Sequence, residues 1–154
     1  MAEPDTEPDT EGAGERLLVF AAEGHRYAVA IEAVKEIVPY RVATRLPGAP
    51  AHVLGLINLR GRLVTVTDLA VQLGSRAAGS ERSSGASIIL VESGARTVGI
   101  MVDEVRDVRP IVPGTVEPIQ RDEGTPGLLQ SLARFDDGVA VILDMDALVA
   151  NILQ

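Results

Sequence analysis

The sequence holds few side chains that could carry catalysis or bind a metal, and their spacing fits neither role. His25 falls in a predicted hairpin turn and His52 at a junction between loop and strand. Neither belongs to a ligand spacing such as His-Glu-x-x-His, so we interpret both as surface histidines without a chemical role. The single lysine, Lys35, follows Val34, which excludes a Gly-Lys phosphate-binding loop.

Nucleophilic and acid–base arrangements are missing as well. The chain has no cysteine and no Gly-x-Ser-x-Gly elbow. Asp144 and Asp146 could suggest a cation site, but capping of a short C-terminal helix explains Asp144 more simply. Asp103 and Glu104 follow a predicted strand, and we interpret them as its solvated end. We therefore expect no enzyme activity, no metal and no cofactor.

The clearest structural pattern in the chain is a hairpin followed by a short helix. Two β-rich runs, 53–59 and 62–67, flank Arg60-Gly61, which is typical of a β-hairpin. Asp68 then precedes a short apolar segment that Gly74 closes, a pattern that predicts a capped turn of helix.

Polar residues and glycines concentrate at the tip of this hairpin. Asn58, Arg60 and Arg62 cluster there, and Gly55 lies in the first strand, where glycine often marks a bulge or a close backbone approach. Glu36 lies on an earlier segment and could pair with Arg60. Two interpretations remain open: Arg60 orients groups for an interaction, or it is a solvated turn residue.

The other predicted strands, helices and loops are deduced from the spacing of apolar residues and from the positions of Pro and Gly. Ile31, Val34 and Ile37 fall at helical spacing with Val38, which predicts a helical turn that Pro39 ends. The alternation elsewhere predicts strands at 17–22 and 26–31, a loop at 40–50, a flexible connector at 75–86 and a final helix at 144–152.

Composition and charge narrow the class of protein. Residues 1–15 hold six acids and no base and repeat Glu-Pro-Asp-Thr, so we expect a disordered acidic tail. The remaining chain holds 16 acids and 14 bases, which gives no electrostatic support for nucleic-acid binding. No apolar run reaches the roughly 18 residues of a membrane span, and the N-terminus does not resemble a signal peptide, so we expect a cytoplasmic protein.

The ordered chain contains two similar copies. Residues 17–31 align with 87–101 without a gap, and Asp68 of the first copy aligns with Asp144 of the second. The residue pattern of each copy predicts about five short strands. Such strands tend to close into a small barrel because closure removes exposed edges. We therefore expect one domain at 16–152, with a first barrel at about 16–74, a linker at 75–86 and a second barrel at about 87–152.

Three runs carry a resemblance to a known family: GLINLRGRLVTVTDL, LLVF…YAVAIEAVKEIV and VGIMVDEVRDV. Over residues 17–152 the chain resembles the CheW-like chemotaxis coupling proteins. The resemblance implies an all-β fold with short helices, in which two SH3-like five-stranded barrels are intertwined by exchange of strands. It also implies a non-catalytic adaptor that links methyl-accepting chemoreceptors to a CheA-type histidine kinase in membrane-associated arrays.

The resemblance further implies barrel-to-barrel association with the regulatory domain of the kinase and with other CheW-like proteins in rings. Alternatives are an adaptor of a related chemosensory pathway with another output, such as motility or pili, and a small-ligand-binding β-barrel. The chain departs from the family in its short, polar segment at 115–127 and in its acidic tail. The receptor-facing residues that the resemblance implies are Val34, Glu36, Ile37, Gly55, Asn58, Arg60, Val98 and Gly99.

Overall fold

The structure, a computed structural model, describes residues 15–77, 85–120 and 127–152. The predicted disorder of the tail therefore falls, except for Glu15, outside the described residues, as does most of the predicted connector. A 3₁₀ turn, Ile31–Ala33, joins the second strand to the third. The strands are β1 (Arg16–Ala22), β2 (His25–Ala30), β3 (Val34–Pro39), β4 (Val53–Leu59), β5 (Arg62–Asp68), β6 (Ser87–Ser93), β7 (Arg96–Val102), β8 (Glu104–Pro110), β9 (Val116–Pro118), β10 (Leu129–Phe135) and β11 (Gly138–Leu143), and the helices are α1 (Leu69–Gln72) and α2 (Met145–Ile152).

The strands form two sheets, as the all-β prediction requires. Sheet I has the order β8-β1-β2-β11-β10-β9, and sheet II has the order β3-β6-β7-β5-β4. Each sheet corresponds to one SH3-like barrel. Sheet I has a sixth strand beyond the predicted five, because the short β9 pairs with β10 inside the polar segment at 115–127. Neither helix of the described chain is long and apolar enough to span a membrane.

The two copies exchange strands, which confirms the predicted intertwining. The β1–β2 hairpin of the first copy lies between β8 and β11 of the second copy, and the β6–β7 hairpin lies between β3 and β5 of the first. Of the four junctions between the copies, β2 with β11 and β5 with β7 are parallel, whereas β1 with β8 and β3 with β6 are antiparallel. The boundaries 16–74 and 87–152 therefore describe the sequence copies, whereas each sheet draws on both.

The apolar core has three layers, and the alternation of strand residues creates them. On β1, Leu17 and Val19 face the interior of sheet I, whereas Leu18 and Phe20 face sheet II. All four are at most 2% exposed, so β1 is buried on both faces. The layer between the sheets also takes up both helices. Its largest fully buried members are Phe20, Leu69, Ile89, Ile100 and Leu148.

The predicted helical turn at 31–38 is wrong beyond its first three residues. After the 3₁₀ turn the chain runs as strand β3, which pairs antiparallel with β6 through Ile37–Ile89 and Val38–Ile88. Val34, Ile37 and Val38 are β-branched and therefore favour strands. Pairing with a strand from the other copy overrides the helical spacing, which local sequence alone could not reveal.

Both predicted helix caps are confirmed. The Asp68 carboxylate accepts hydrogen bonds from the backbone N–H groups of Ala70 (3.1 Å) and Val71 (3.3 Å). The Asp144 carboxylate accepts from the N–H of Ala147 at 3.1 Å. Each cap directs its helix so that apolar side chains, such as the fully buried Leu148, enter the layer between the sheets.

An arginine cluster corrects two predictions. Arg76, assigned to a flexible connector, has only 6% of its side chain exposed, and its guanidinium contacts Asp68 (3.0 Å), Asp103 (3.2 Å) and Glu23 (2.7 Å). The Asp103 carboxylate, assigned to a solvated strand end, also accepts from the N–H of Glu23 at 2.7 Å. Glu104, by contrast, is exposed as predicted. The cluster fixes the start of the connector to the β1–β2 turn and to the end of β7.

Candidate functional site

The tip of the β4–β5 hairpin is a two-residue turn made by Arg60 and Gly61. Both have positive φ, +51° and +86°, which type I′ turns require at their two central positions. The Asn58 side-chain oxygen accepts a hydrogen bond from the N–H of Gly61 at 2.9 Å. The predicted cluster at the tip is therefore confirmed as a structural unit, in which Asn58 fixes the turn that presents Arg60.

Arg60 and Glu36 form a two-pronged ion pair across the end of sheet II. Arg60 Nη1 donates to Glu36 Oε2 at 3.1 Å, and Nη2 donates to Oε1. Since β3 and β4 are the two edge strands of the sheet, the pair joins its opposite edges. The side chains are 67% and 34% exposed, so the pair orients the groups around it more than it stabilises the fold. Hydrogen bonding to Arg60 lowers the pKa of the Glu36 carboxyl, and the same contact raises the pKa of Arg60.

A cavity of about 260 Å³ opens beside this ion pair. Its floor is aliphatic, because Leu59, Val64 and Leu90 point into it from three strands and are each less than 9% exposed. The Thr97 hydroxyl oxygen is buried beside the floor and has no hydrogen-bond partner within the described chain. Charged residues form the rim: Lys35, Glu36, Arg60 and Arg62.

The structure brings only some of the predicted receptor-facing residues together at this cavity. Glu36 and Arg60 lie on its rim, with Asn58 in the adjoining turn. Ile37 is 41% exposed but lies on the opposite face of β3, because neighbouring strand residues alternate. Val34 is partly buried against the layer between the sheets. Val98 is fully buried in that same layer and presents no surface.

Close packing leaves no room for a side chain at Gly55 or at Gly99. A Cβ at Gly55 would lie 2.0 Å from the Thr44 carbonyl oxygen, and the φ of Gly55 is +137°. The register shifts here, and Leu56 exchanges two backbone hydrogen bonds of 2.8 Å with Thr44, which confirms the predicted bulge and close approach. A Cβ at Gly99 would lie 2.9 Å from a methyl carbon of Ile88 in the barrel interior.

Sequence reasoning missed several residues of the cavity and misjudged one histidine. Lys35, Leu90 and Thr97 line the cavity beside Arg62, which the sequence places at the hairpin tip, and only the exchange of strands brings Leu90 and Thr97 there. His52 is half-buried, with its Nδ1 3.0 Å from the Thr67 hydroxyl, and burial lowers its pKa. His52 is thus a packed residue instead of a surface residue, whereas His25 is exposed as predicted.

The duplication extends to a second ion pair, with its charges reversed. In sheet I, Arg109 on β8 donates from Nη1 and Nη2 to the Asp137 carboxylate (2.7 and 3.0 Å) at the β10–β11 tip. Arg26 also contacts Asp137, and the Arg109 guanidinium lies 4.8 Å from the centre of the Phe135 ring. These hydrogen bonds, from Arg109 above all, hold the pKa of Asp137 well below its usual range. Each barrel end therefore carries one edge-to-tip ion pair.

Within residues 15–77, 85–120 and 127–152, no group of three or more His, Asp or Glu side chains could hold a metal ion. The arrangement at the hairpin tip is suited to binding a side chain that is partly apolar and partly charged. Aliphatic floors with charged rims are typical of surfaces that accept one face of a helix.

Comparison with known proteins identifies the family. The sequence model of the CheW-like domain matches residues 16–153. The chain is 35% identical to the chemotaxis protein CheW of Rhizobium meliloti (strain 1021) over 130 residues, 84% of this chain and 79% of that protein. It is 29% identical to CheW of Bacillus subtilis (strain 168) over 140 residues, 88% and 87% of the two chains. The crystal structure of the scaffolding protein TtCheW from Thermoanaerobacter tengcongensis matches with a TM-score of 0.77 and 30% identity, covering 85% of this chain and 84% of that one. The chain therefore belongs to the CheW-like family.

Proposed function

We propose that this protein is a non-catalytic adaptor that couples methyl-accepting chemoreceptors to a CheA-type histidine kinase in the cytoplasm, within membrane-associated receptor arrays. Membership of the CheW-like family over residues 16–153 supports the proposal, as do relatives named chemotaxis proteins and a structural neighbour named a scaffolding protein. The observation that carries it is the cavity at the β4–β5 tip, where an aliphatic floor adjoins the Glu36–Arg60 ion pair.

The cavity fits the apolar face of a receptor helix. A helix offers side chains at i, i+3 and i+4 on one face, so one aliphatic side chain can enter the cavity while its neighbours contact the rim. Leu59, Val64 and Leu90 supply the apolar contact. The Glu36–Arg60 pair fixes the guanidinium so that little rotamer entropy is lost when a partner binds.

The receptor-facing residues divide into two groups on this proposal. Some touch the receptor directly, and others shape the surface from behind. Gly55, through the bulge, and the buried Gly99, beneath the cavity, belong to the second group. Val34 and Val98 join them because they pack against the layer between the sheets. The residues proposed for direct contact at the cavity are Glu36, Asn58 and Arg60, and Ile37, exposed on the opposite face of β3, is proposed to contact the receptor outside the cavity.

The barrel ends are the surfaces proposed for the kinase and for other CheW-like proteins in rings. The end of sheet I carries a cavity of about 390 Å³ beside Arg109 and Asp137, with Val112 and Phe135 in its wall. Val112 is 55% exposed and Val139, near the same tip, is 49% exposed. Stable association here needs a buried area on the order of 1,000 Å² or more in total.

Calorimetry with the CheA-type regulatory domain and a receptor tip from the same organism tests the proposal. Saturable binding to both is expected, and Arg60→Ala should weaken receptor binding about tenfold with the fold intact. Arg106→Ala is the matched control, because Arg106 also forms an exposed ion pair, with Glu104 on sheet I. Binding to neither partner would refute the proposal. Binding only to the kinase of another chemosensory pathway would assign the adaptor to that pathway.

A further inference from the structure

The charges at the cavity beside the hairpin tip are not balanced. Two of its three bases have a carboxylate partner. Lys35 Nζ lies 3.5 Å from Glu92 Oε2, and Arg60 forms the two-pronged pair with Glu36. Arg62 lines the same cavity, is exposed and contacts no carboxylate of the described chain. The excess positive charge of the cavity is therefore located at Arg62.

A further arginine adds to the positive potential from outside the cavity. Arg41 donates from Nη1 to the backbone carbonyl of Asn58 at 3.3 Å and has no carboxylate partner among the described residues. The hydrogen bond from Arg60 is the main cause of the lowered pKa of Glu36, and the charges of Arg41 and Lys35 lower this pKa further. A single carboxylate thus lies in the field of three bases, so the surroundings of the hairpin tip are positive.

The strand register directs the Arg62 side chain over the floor of the cavity. Arg62 is paired with Leu59 across the hairpin and precedes Val64 by two residues on β5. Leu59 and Val64 both pack in the interior of sheet II, and the alternation of strand residues places Arg62 on the same face. Leu63 points the other way and is 67% exposed. Arg62 therefore stands directly beside the aliphatic floor.

The separation of Arg62 from the floor matches the spacing of side chains along a helix. Residues that face each other across an antiparallel pair, such as Leu59 and Arg62, have Cβ atoms about 4.5 to 5.5 Å apart. Residues four positions apart on one face of a helix have Cβ atoms about 5 to 6 Å apart. A helix that lies over the hairpin tip can therefore place one side chain on the floor and another, one turn away, at the guanidinium.

The guanidinium determines the chemistry of that second side chain. Arginine binds carboxylates through two parallel hydrogen bonds, and such charge-assisted bonds are stronger than neutral ones. A cationic side chain would be repelled by Arg62 and by the positive charge around it. A neutral side chain would leave that charge without a partner. A carboxylate is therefore the group that complements this rim.

We propose that Arg62 determines specificity at this cavity by binding a carboxylate of the partner helix, one turn away from the aliphatic side chain that enters the cavity. The partner helix thus carries an aliphatic residue with Asp or Glu three or four positions away. The preference for this pair of groups is a property of the surface alone. The assignment of the helix to a chemoreceptor rests on the proposed function.

Designed helical peptides test the surface without a natural partner. Each peptide is stapled and about 14 residues long, because isolated helices of this length are marginal in water. The first carries one Leu and one Glu four positions apart on a background of Ala and Gln. In the others, Gln or Lys replaces the Glu, or Ala replaces the Leu. NMR titration of the full chain, followed at the backbone amides of Arg62, Val64 and Leu90, measures the affinities.

The peptide with both groups should bind about tenfold more tightly than the peptide that lacks the Glu or the one that lacks the Leu. Arg62→Gln should remove the preference for Glu over Gln and leave the contribution of Leu unchanged. Arg62→Glu should reverse the preference, so that the Lys peptide binds more tightly than the Glu peptide. Raising the salt should weaken the preference for Glu in the natural chain, because exposed charges are screened.

Arg96→Gln is the matched control for these substitutions. Arg96 is also an exposed arginine of sheet II without a carboxylate contact in the described chain, but it lies outside the cavity. The control should keep the preference for Glu. The proposal is overturned if the peptide with both groups does not bind, if the Glu and Gln peptides bind equally, or if the preference survives Arg62→Gln.

Binding of the receptor tip separates this proposal from the proposed function. If both hold, Arg62→Glu should weaken binding of the tip about tenfold or more, and replacing one carboxylate of the tip by Lys should restore it. If the peptides show the preference but the tip does not bind, the surface chemistry stands and the adaptor function fails. If the tip binds equally to the natural chain and to Arg62→Glu, the adaptor function stands and the role of Arg62 is overturned.

Discussion

Arg76 and Asp68 form an ion pair in the interior of the protein, with 3.0 Å between Nη2 and Oδ1 and only 6% and 4% of the side chains exposed. The same Asp68 oxygen accepts from the first N–H groups of α1. Asp103 and Glu23 complete the surroundings of the guanidinium. One side chain from the connector therefore joins the end of β5 and the start of α1 to the β1–β2 turn and to the residue between β7 and β8.

Removing this arginine should destabilise the protein strongly. Arg76→Ala leaves the buried carboxylate of Asp68 without its counter-ion, and breaking a buried pair in this way costs about 3 kcal/mol. Urea unfolding followed by circular dichroism measures the loss. Arg106→Ala, which breaks an exposed pair with Glu104, should change the free energy of unfolding by less than about 1 kcal/mol. Equal effects of the two substitutions would show that the cluster is not a stabilising contact.

Gly55→Ala should destabilise the fold before it affects any partner. The new Cβ would meet the Thr44 carbonyl oxygen at 2.0 Å, and the φ of +137° strains any side chain, so we expect a loss of at least about 2 kcal/mol. Gly127→Ala is the control, because nothing lies within 4 Å of its added Cβ. A Gly55→Ala variant with unchanged unfolding but lost receptor binding would instead make Gly55 a direct contact.

The Glu36–Arg60 pair should be visible in the titration of Glu36. Arg60 lowers the pKa of this carboxyl, so the pair persists at neutral pH and breaks only at a lower pH than that at which an ordinary glutamate is protonated. Arg60→Ala should raise the pKa of Glu36 towards its ordinary value while the melting temperature stays the same. Carboxyl chemical shifts against pH report the change. The double substitution Glu36→Arg with Arg60→Glu should restore the pair with its charges exchanged, and the pKa of the carboxyl introduced at the hairpin tip should again be lowered.

His52 should make stability depend on pH near neutrality. Burial lowers its pKa, so below about pH 6.5 the unfolded state binds a proton that the folded state does not. The free energy of unfolding should therefore fall as the pH is lowered from about 7 to about 5.5. His52→Gln should flatten this slope, whatever its effect on overall stability. His25→Gln, at an exposed turn, should leave the slope as it is, and equal slopes for both variants would exclude His52 as its source.

Much of this fold could be predicted from the sequence because it depends on residues that are close together in the chain. The β4–β5 hairpin, the caps at Asp68 and Asp144 and the bulge at Gly55 depend on residues close in the chain, and all were predicted correctly. The duplication predicted two barrels, and the family resemblance predicted that they are intertwined. The direct contacts proposed for the receptor are a prediction that only binding measurements can test.

The errors share one physical cause, which is contact between distant segments. β3 is a strand because β6 of the other copy pairs with it. Asp103 is shielded because Arg76, 27 residues earlier, reaches it. His52 is half-buried because Thr67 of the neighbouring strand contacts its ring. Neither periodicity nor composition contains these pairings, so the sequence could give no sign of them.

The exchange of strands also has a consequence for biosynthesis. The β1–β2 hairpin pairs with β11 through Tyr27 and Val141. The backbone edge of β2 therefore stays unpaired until more than a hundred further residues have been translated. At about 5 to 20 residues per second this delay is on the order of 10 s. For most of this delay β1, which is apolar on both faces, has β2 beside it but not its other neighbour, β8. The nascent hairpin therefore exposes apolar surface and an unpaired strand edge until the second copy has been made.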